Sequence, residues 1–175
     1  MGEAVVTVTS TFTEPSTGVE GTHTYQYDAL GRRVRKSTGG ADAADTVFVR
    51  DSQTVIAEYA ASTVAASPLR KYVNASYVDE PVLMIDRTAA GSLGANIDER
   101  LYYHRNQQYS IVALTDNTGT VVERYAYTAY GEPTIHDGAG TTTRTASFIG
   151  NPYLYTAQVP VGQVPPDRLD GGGQP

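Results

Sequence analysis

Residues 101–133 read LYYHRNQQYSIVALTDNTGTVVERYAYTAYGEP, and this stretch decides the fold class of the 175-residue chain. Apolar and polar residues alternate over residues 109–115 and again over residues 120–127. Between them, Asp116 and Gly119 are typical of a tight turn, because an Asp carboxylate accepts hydrogen bonds from nearby backbone amides and Gly adopts positive φ. The stretch therefore predicts a β-hairpin.

Related units occur elsewhere in the chain. Residues 25–31 follow the pattern Tyr-x-Tyr-Asp-x-x-Gly, and residues 125–127 repeat the Tyr-x-Tyr pair before another turn. The pattern predicts an all-β fold built from successive antiparallel hairpins. The residues that carry this structural motif are Tyr25, Tyr27, Asp28, Gly31, Asp116, Gly119, Tyr125, Tyr127 and Gly131.

Composition supports a sheet and excludes several functional classes. The chain has 13 Tyr, 17 Gly and no Trp, and Tyr fits half-buried pleated surfaces while Gly fits turns. The formal charge of −6 argues against a general binder of nucleic acid or of anionic membranes, which needs clustered Lys and Arg. The absence of Cys excludes disulfides and thiolate metal sites. We find no apolar run long enough for a membrane span and no signal peptide in this chain.

The N-terminal half extends the strand pattern. Residues 4–12 alternate Val and Thr and predict one strand, either at a sheet edge or partly frayed. Residues 46–50 and 54–59 predict a hairpin with a looser turn, because Thr54 stands where Gly is expected. Residues 69–73 and 77–81 predict a third pair.

The C-terminal half contains the most apolar strand and the least regular segments. Residues 82–87 predict a strand near the centre of a sheet. We expect Glu132 and Pro133 to end strand pairing and residues 135–143 to form a flexible connection. Residues 159–175 are rich in Pro and Gly and are expected to be disordered.

These motifs resemble a known family. Residues 25–32 are similar to the tyrosine–aspartate (YD) repeat of Rhs proteins and teneurins. Residues 70–82 resemble the segment ending in Asp-Glu-Pro of bacterial Rhs chains, and residues 102–132 resemble the start of the Rhs-associated core. The resemblance covers residues 22–155, and several motifs in this order are more specific than any one of them.

The resemblance implies an architecture. YD repeats of the family build a β-sheet that spirals into a hollow shell, and in bacterial members the shell encloses a C-terminal toxin. After Gln158 this chain departs from the family pattern, so we expect an incomplete, open-edged sheet that ends before the self-cleavage motif. The segments are an N-terminal strand and loop (1–21), YD-repeat-like hairpins (22–99), the start of the Rhs-associated core (100–158) and a disordered tail (159–175).

No pattern predicts a catalytic, cofactor or metal site. His136 and Asp137 have no partners at ligand spacing, and histidines on strand faces are the commoner case. The adjacent carboxylates of residues 79–80 and 98–99 point to opposite faces of a strand. The basic residues 32–36 favour a solvated strand, with a binding patch as the alternative. We therefore predict a non-enzymatic protein without cofactors.

The leading hypothesis is a structural segment of an Rhs/YD-repeat shell. Its partners would be the remainder of the shell or its cargo domain, and the resemblance implies an extracellular or cell-surface location. The alternative is a module that binds a cell-wall glycan or a protein through exposed Tyr faces, including Tyr102 and Tyr125, or through an open sheet edge. A hydrolase is a third hypothesis, motivated only by the histidines and carboxylates.

Overall fold

The computed structural model describes residues 5–13, 20–39, 44–61, 67–75, 80–87 and 99–157. Across these residues the protein is all-β, as predicted, with one short 3-10 turn at Tyr155–Ala157. No helix in this part of the chain is long and apolar enough to cross a membrane. The strands are β1 Val6–Thr13, β2 Glu20–Tyr27, β3 Arg33–Gly39, β4 Ala44–Asp51, β5 Thr54–Ala60, β6 Arg70–Asn74, β7 Pro81–Asp86, β8 Glu99–Arg105, β9 Ile111–Thr115, β10 Val121–Tyr127, β11 Pro133–Asp137 and β12 Thr143–Arg144.

The strand order confirms the prediction of successive antiparallel hairpins. Strands β1 to β12 form one open sheet in which hydrogen-bonded neighbours follow the order of the chain, with no crossover. The chain divides into two compact units, residues 1–71 and residues 72–175.

The hairpins share one turn, which the structure shows most fully at Asp116. The Asp116 amide donates to the Thr120 carbonyl at 2.9 Å, and the Gly119 amide donates to the Asp116 carbonyl at 3.1 Å. The Asp116 carboxylate accepts from the amides of Thr118 (2.8 Å) and Thr120 (2.9 Å). Gly119 has a φ of 85°, a value that Gly adopts without steric cost.

The same geometry recurs in turns that begin at Asp28, Asn106 and Thr128. In the Asn106 turn the residue with positive φ is Tyr109, at 62°. The prediction that a strand begins at residue 109 is therefore wrong, because Tyr109 occupies the position that Gly holds in the other turns, and β9 begins at Ile111.

A β-bulge follows three of these turns. On each returning strand one valine is left without a partner in the register: Val34, Val112 and Val122. Each valine lies six residues after the residue that begins the turn. A bulge increases the local twist and re-aims the following side chains, so turn and bulge together form the repeating unit of the sheet.

The structure corrects three further predictions. The turn between β4 and β5 is tight, with two residues and Ser52 at a φ of 53°. Residues 77–79 of the predicted strand 77–81 lie outside the described residues, and β6 lies between β5 and β7 in the sheet. Pro133 does not end pairing, because it opens β11 opposite Tyr127, and Pro is tolerated as the first residue of a strand. Residues 135–143 form most of a hairpin, β11 and β12, because Asp137 organises a turn of its own.

The hydrophobic core lies in the second unit. Its largest fully buried side chains include Met84, Leu101, Ile111, Leu114 and Leu154, whereas no member of that fully buried set belongs to the first unit. Met84 lies in β7, as expected of the most apolar strand. Residues 159–175, which are predicted to be disordered, fall outside the described residues.

The turn geometry yields a prediction about pH. Hydrogen bonds from Thr118 and from backbone amides lower the pKa of Asp116. A carboxylate with a lowered pKa stabilises the fold fully above the unfolded pKa of about 3.9, and this contribution is lost as pH falls through the folded pKa. Asp116→Asn should keep the turn at pH 7, as Asn106 does, and should reduce the loss of thermal stability as pH falls below about 4.

Asp116→Ala is the matched variant. It removes the acceptor, so its unfolding free energy in urea at pH 7 should fall by about 1 kcal/mol. Equal stability of the Ala and Asn variants at pH 7 would show that the side-chain acceptor does not hold the turn.

Candidate functional site

A buried carboxylate, Glu123 in β10, lies at the centre of the second unit. Its side chain is 0% exposed, and each of its oxygens accepts two hydrogen bonds. Oε2 accepts from the hydroxyls of Tyr125 (2.5 Å) and Ser147 (2.7 Å). Oε1 accepts from Arg144 Nη1 (3.0 Å) and from the Phe148 amide (2.6 Å). The buried charge is therefore fully hydrogen-bonded and paired with a cation.

The electrostatics of this cluster suit a structural anchor. Burial raises the pKa of Tyr125 well above its usual value, and the negative charge of Glu123 raises it further. The phenol therefore stays protonated and remains a donor to the carboxylate. Because every acceptor position of Glu123 is occupied and the group is out of solvent, the cluster can fix a chain segment but cannot hold a substrate.

The segment that it fixes is residues 147–157. Ser147 starts a turn in which its carbonyl accepts from Gly150 and its hydroxyl accepts from the Asn151 amide at 2.9 Å. The Asn151 side-chain oxygen then accepts from the Tyr103 hydroxyl (3.0 Å) and from the Tyr153 amide (3.1 Å). Polar groups of the sheet and of the segment thus satisfy each other.

Aromatic rings complete the docking. The Tyr153 ring meets Tyr72 and Tyr103 edge-on, with centroid distances of 5.4 and 5.9 Å, a favourable arrangement of ring quadrupoles. The Leu154 carbonyl accepts from the Ile111 amide at 3.1 Å. The segment therefore pairs with the sheet through backbone as well as side chains.

Two residues of the predicted motif support this segment directly. The Tyr127 hydroxyl donates to the Ile111 carbonyl at 2.6 Å, and its ring lies 5.6 Å from that of Tyr155. Burial raises the pKa of Tyr127. A Cβ atom at Gly131 would lie 2.7 Å from the Tyr155 ring, so this turn needs Gly for close approach as well as for its φ of 85°.

In the first unit, the predicted motif residues organise an arginine network. Arg32 forms an ion pair with Asp28 at 2.6 Å, and its Nη1 donates to the Ser52 carbonyl at 2.7 Å. Arg50 in turn donates to the carbonyls of Arg33 (3.0 Å) and Gln53 (2.7 Å). Neighbouring hairpin turns are therefore linked by guanidinium groups. The hydrogen bonds from Arg32 lower the pKa of Asp28.

Most basic side chains of residues 32–36 contact partners within the first unit. Arg33 lies over the rings of Phe48 (4.9 Å) and Tyr25 (5.8 Å), and Arg35 forms an ion pair with Asp45. The sequence allowed two interpretations of this basic cluster, a solvated strand and a binding patch. Neither interpretation includes these contacts with aromatic rings and with Asp45. These cations therefore pack on aromatic rings and pair with a carboxylate within the first unit.

The histidines are held by threonines on neighbouring strands. His104 Nε2 lies 2.9 Å from the Thr115 hydroxyl, and His136 Nδ1 lies 3.4 Å from the Thr143 hydroxyl. Burial lowers the pKa of His23. Among the described residues, no three His, Asp or Glu side chains are placed to hold a metal ion.

Known proteins resemble part of this chain. No protein-family model matches it. It is 31% identical over 111 residues to tRNA nuclease WapA of Bacillus subtilis (strain 168), and 30% identical over 111 residues to tRNA(Glu)-specific nuclease WapA of Bacillus subtilis subsp. natto. A similar match, at 29% identity, is to tRNA3(Ser)-specific nuclease WapA of Bacillus spizizenii. Each match covers 63% of this chain and only 4% of the relative.

The short match limits what the names imply. The names of the relatives give nuclease activity to proteins of which this chain matches only 4%. Within this chain, the buried Glu123 carboxylate already accepts four hydrogen bonds, so no acceptor position is left for a substrate. Sequence reasoning did not single out Glu123 or residues 147–157 as a cluster. The usable signal was a Glu between Val121 and Tyr125 on one face of a strand, since buried carboxylates need several donors.

Two glycines with the same φ separate backbone strain from docking. At both Gly119 and Gly131 φ is 85°, but a Cβ at Gly119 would meet nothing within 4 Å. Gly119→Ala should cost about 1–2 kcal/mol of unfolding free energy from positive φ alone. Gly131→Ala should cost roughly 1–3 kcal/mol more because the new methyl group overlaps Tyr155.

Hydrogen exchange locates the effect. The Ile111 amide, which donates to Leu154, should lose protection in Gly131→Ala and keep it in Gly119→Ala. Equal costs and equal Ile111 protection in the two variants would contradict the docking of residues 147–157 against this turn.

Proposed function

We propose that this chain is a structural, non-enzymatic wall segment of the Rhs/YD-repeat type. The observation that carries the proposal is the repetition of one turn-and-bulge unit along a sheet whose strands follow the chain order. A sheet that adds hairpins in this way can be extended at its ends. In this proposal its partners are the remainder of such a sheet and a cargo domain that the sheet encloses.

The buried cluster supports a structural role rather than catalysis. Glu123 accepts hydrogen bonds from four donors, and two of these donors are the hydroxyls of Tyr125 and Ser147. The carboxylates of Asp116 and Asp137 accept hydrogen bonds from backbone amides of their own turns. These carboxylates of the second unit thus have structural partners that explain their positions. The similarity to large WapA nucleases supports membership of a long toxin-type protein, with nuclease activity residing outside the matched stretch.

The proposal predicts protection of a cargo. In the protein made from the complete reading frame, the polypeptide that follows this sheet should resist limited proteolysis. Glu123→Ala breaks a buried ion pair, which typically costs about 3–5 kcal/mol, so it should undock residues 147–157 and expose the cargo. Lys71→Gln, which removes an exposed charge, should leave protection unchanged.

Two results would contradict the proposal. One is equal protease sensitivity of the cargo in the native protein and in Glu123→Ala. The other is cleavage of tRNA by the purified 175-residue chain, lost on substitution of His104 or His136, because that would place chemistry within the segment itself.

A second candidate function is protein binding by strand addition at β1. All eight residues of β1 pair with β2, and the strand sequence VTVTSTFT carries no charge, Gly or Pro. Val6 and Val8 are 57% and 48% exposed. Natural edge strands usually carry charges or Pro that prevent pairing, so this edge has the properties of one that accepts another strand.

Strand addition at β1 can be tested by asking whether two copies of the chain associate through this edge. An antiparallel pairing with Thr9 opposite Thr9 would place Thr7 opposite Thr11, which is a favourable cross-strand pair. Sedimentation equilibrium should detect a dimer that Thr9→Lys abolishes and Thr24→Lys, on the paired strand β2, does not. A monomer at all concentrations would exclude self-association by this edge. The glycan alternative at Tyr125 is wrong, because that ring is only 5% exposed.

A further inference from the structure

Two exposed tyrosines occupy turns at one end of the second unit. Tyr109 lies in the turn of residues 106–110 and is 50% exposed, and Tyr130 lies in the turn of residues 128–132 and is 98% exposed. Strand β9 begins after the first turn, β10 ends at the second, and the two strands pair antiparallel. Both turns therefore lie at the same end of the sheet, which we call the tyrosine end.

Tyr109 is held in a backbone conformation that is unfavourable for its residue type. Its φ is 62°, whereas Gly31, Gly119 and Gly131 hold the equivalent position in the other turns of this geometry. A side chain at positive φ costs free energy and persists where its surroundings compensate for the strain. The Arg105 guanidinium lies 5.6 Å from the Tyr109 ring centroid, but half of the side chain stays in solvent. An additional contact of the exposed ring is therefore the compensation that we expect.

Tyr130 presents a second ring on a fixed turn. Its exposed fraction is the largest among the described apolar and aromatic side chains of large size. Two backbone hydrogen bonds, from Thr128 to the Glu132 carbonyl and from Gly131 to the Thr128 carbonyl, hold the turn at 3.0 Å each. Tyr on a rigid support offers a large contact area at a low cost in conformational entropy, and Tyr and Arg are enriched in binding hot spots. The tyrosine end thus has the composition of a binding surface.

The last described residues run between these two turns. The Tyr155 ring packs so closely on one turn that a Cβ at Gly131 would lie 2.7 Å from it. The next residue, Thr156, donates its amide to the Ser110 hydroxyl of the other turn at 3.1 Å. The polypeptide that continues after Ala157 therefore starts at the tyrosine end.

The sequence that continues from this point is rich in proline. Residues 158–166 read QVPVGQVPP and contain two apolar pairs, Pro160-Val161 and Val164-Pro165, with two residues between them. Polyproline II rises about 3.1 Å per residue and repeats every three residues. In that conformation, Val161 and Val164 would be about 9 Å apart on one side of the segment.

This spacing matches the tyrosine end. One turn joins β8 to β9 and the other joins β10 to β11, so the turns are two strand spacings, about 10 Å, apart. Pro160 follows Ala157 by three residues, which span roughly 10 Å at most, so the first apolar pair can reach either turn. Polyproline II segments dock on aromatic surfaces in a known recognition mode, and they lose little entropy because unfolded chains often adopt this conformation.

We propose that residues 160–165 bind the tyrosine end as a polyproline II segment, with one apolar pair on the Tyr109 ring and the other on the Tyr130 ring. Because the segment is tethered next to its site, its effective concentration is in the millimolar range, and contacts with two rings suffice to hold it. The site lies outside the Glu123 cluster and is independent of the proposed wall function. Docking there sets the direction in which the polypeptide leaves the sheet.

Methyl NMR spectra of the full chain test this docking. Ring currents shield protons above a Tyr ring, so the methyl protons of Val161 and Val164 should resonate upfield of their positions in a free peptide of residues 158–167. Tyr109→Gly and Tyr130→Ala should each return the methyls of one apolar pair to the free-peptide positions. Gly at position 109 also relieves the positive φ, so damage to the turn would not explain that loss. Added free peptide should displace half of the docked segment at a concentration on the order of 1 mM.

Two matched variants serve as controls. Tyr102→Ala removes a partly exposed ring from β8, away from the turns, and Leu169→Ala removes an apolar side chain beyond the two pairs. Both should leave the upfield shifts unchanged. The proposal is overturned if Val161 and Val164 have free-peptide positions in the native chain, or if Tyr102→Ala removes the shifts as fully as Tyr109→Gly does. Free-peptide positions together with binding of a separate decaproline peptide at Tyr109 and Tyr130 would also overturn it, because the tyrosine end would then be a site for another polypeptide.

Discussion

The fold depends on how a β-chain reverses direction without leaving amides unsatisfied. In the repeated turn, one side-chain oxygen accepts from the amides two and four residues later, as Asp28, Asn106 and Asp116 do. The residue three positions after the start of the turn then has positive φ. It is Gly31 or Gly119 in two of these turns and Tyr109 in the third. Because the turn fixes its flanking pair, it also fixes the register of the two strands, and the bulge that follows adds twist. Each hairpin is therefore specified locally, and the sheet grows by adding neighbours along the chain.

Stabilisation of the sheet differs between the two units. The first unit has exposed apolar residues such as Val6 and Ile56, and arginines link its turns through backbone carbonyls and cover its rings. An Arg guanidinium can bridge two groups at once because it presents several donors in a plane. The second unit instead buries Met84, Leu101 and Leu114. We expect the two units to respond differently to salt, since ion pairs are screened and buried apolar contacts are not.

The chemistry of the second unit separates two kinds of polar group. On the covered side, Glu123 is buried and accepts four hydrogen bonds, which favours a role in holding the sheet and its C-terminal segment together. On the other side, Arg124 Nε donates to the Gly138 carbonyl at 2.9 Å, and His104 Nε2 lies 2.9 Å from the Thr115 hydroxyl. The buried cluster supports a wall segment, and this role does not depend on the nuclease activity named for the WapA relatives.

The sequence alone determined the all-β class, the hairpin order and the turns at Asp28 and Asp116, because period-two alternation and Asx–Gly turn chemistry act within a few residues. It misplaced Tyr109, Pro133 and the β11–β12 hairpin, since a non-Gly residue at positive φ and a Pro at the first position of a strand give no local signal of their own. The Glu123 cluster joins residues 24 and 25 positions apart. Only the tertiary structure could decide it, because which donors reach a buried carboxylate depends on how residues 147–157 pack on the sheet.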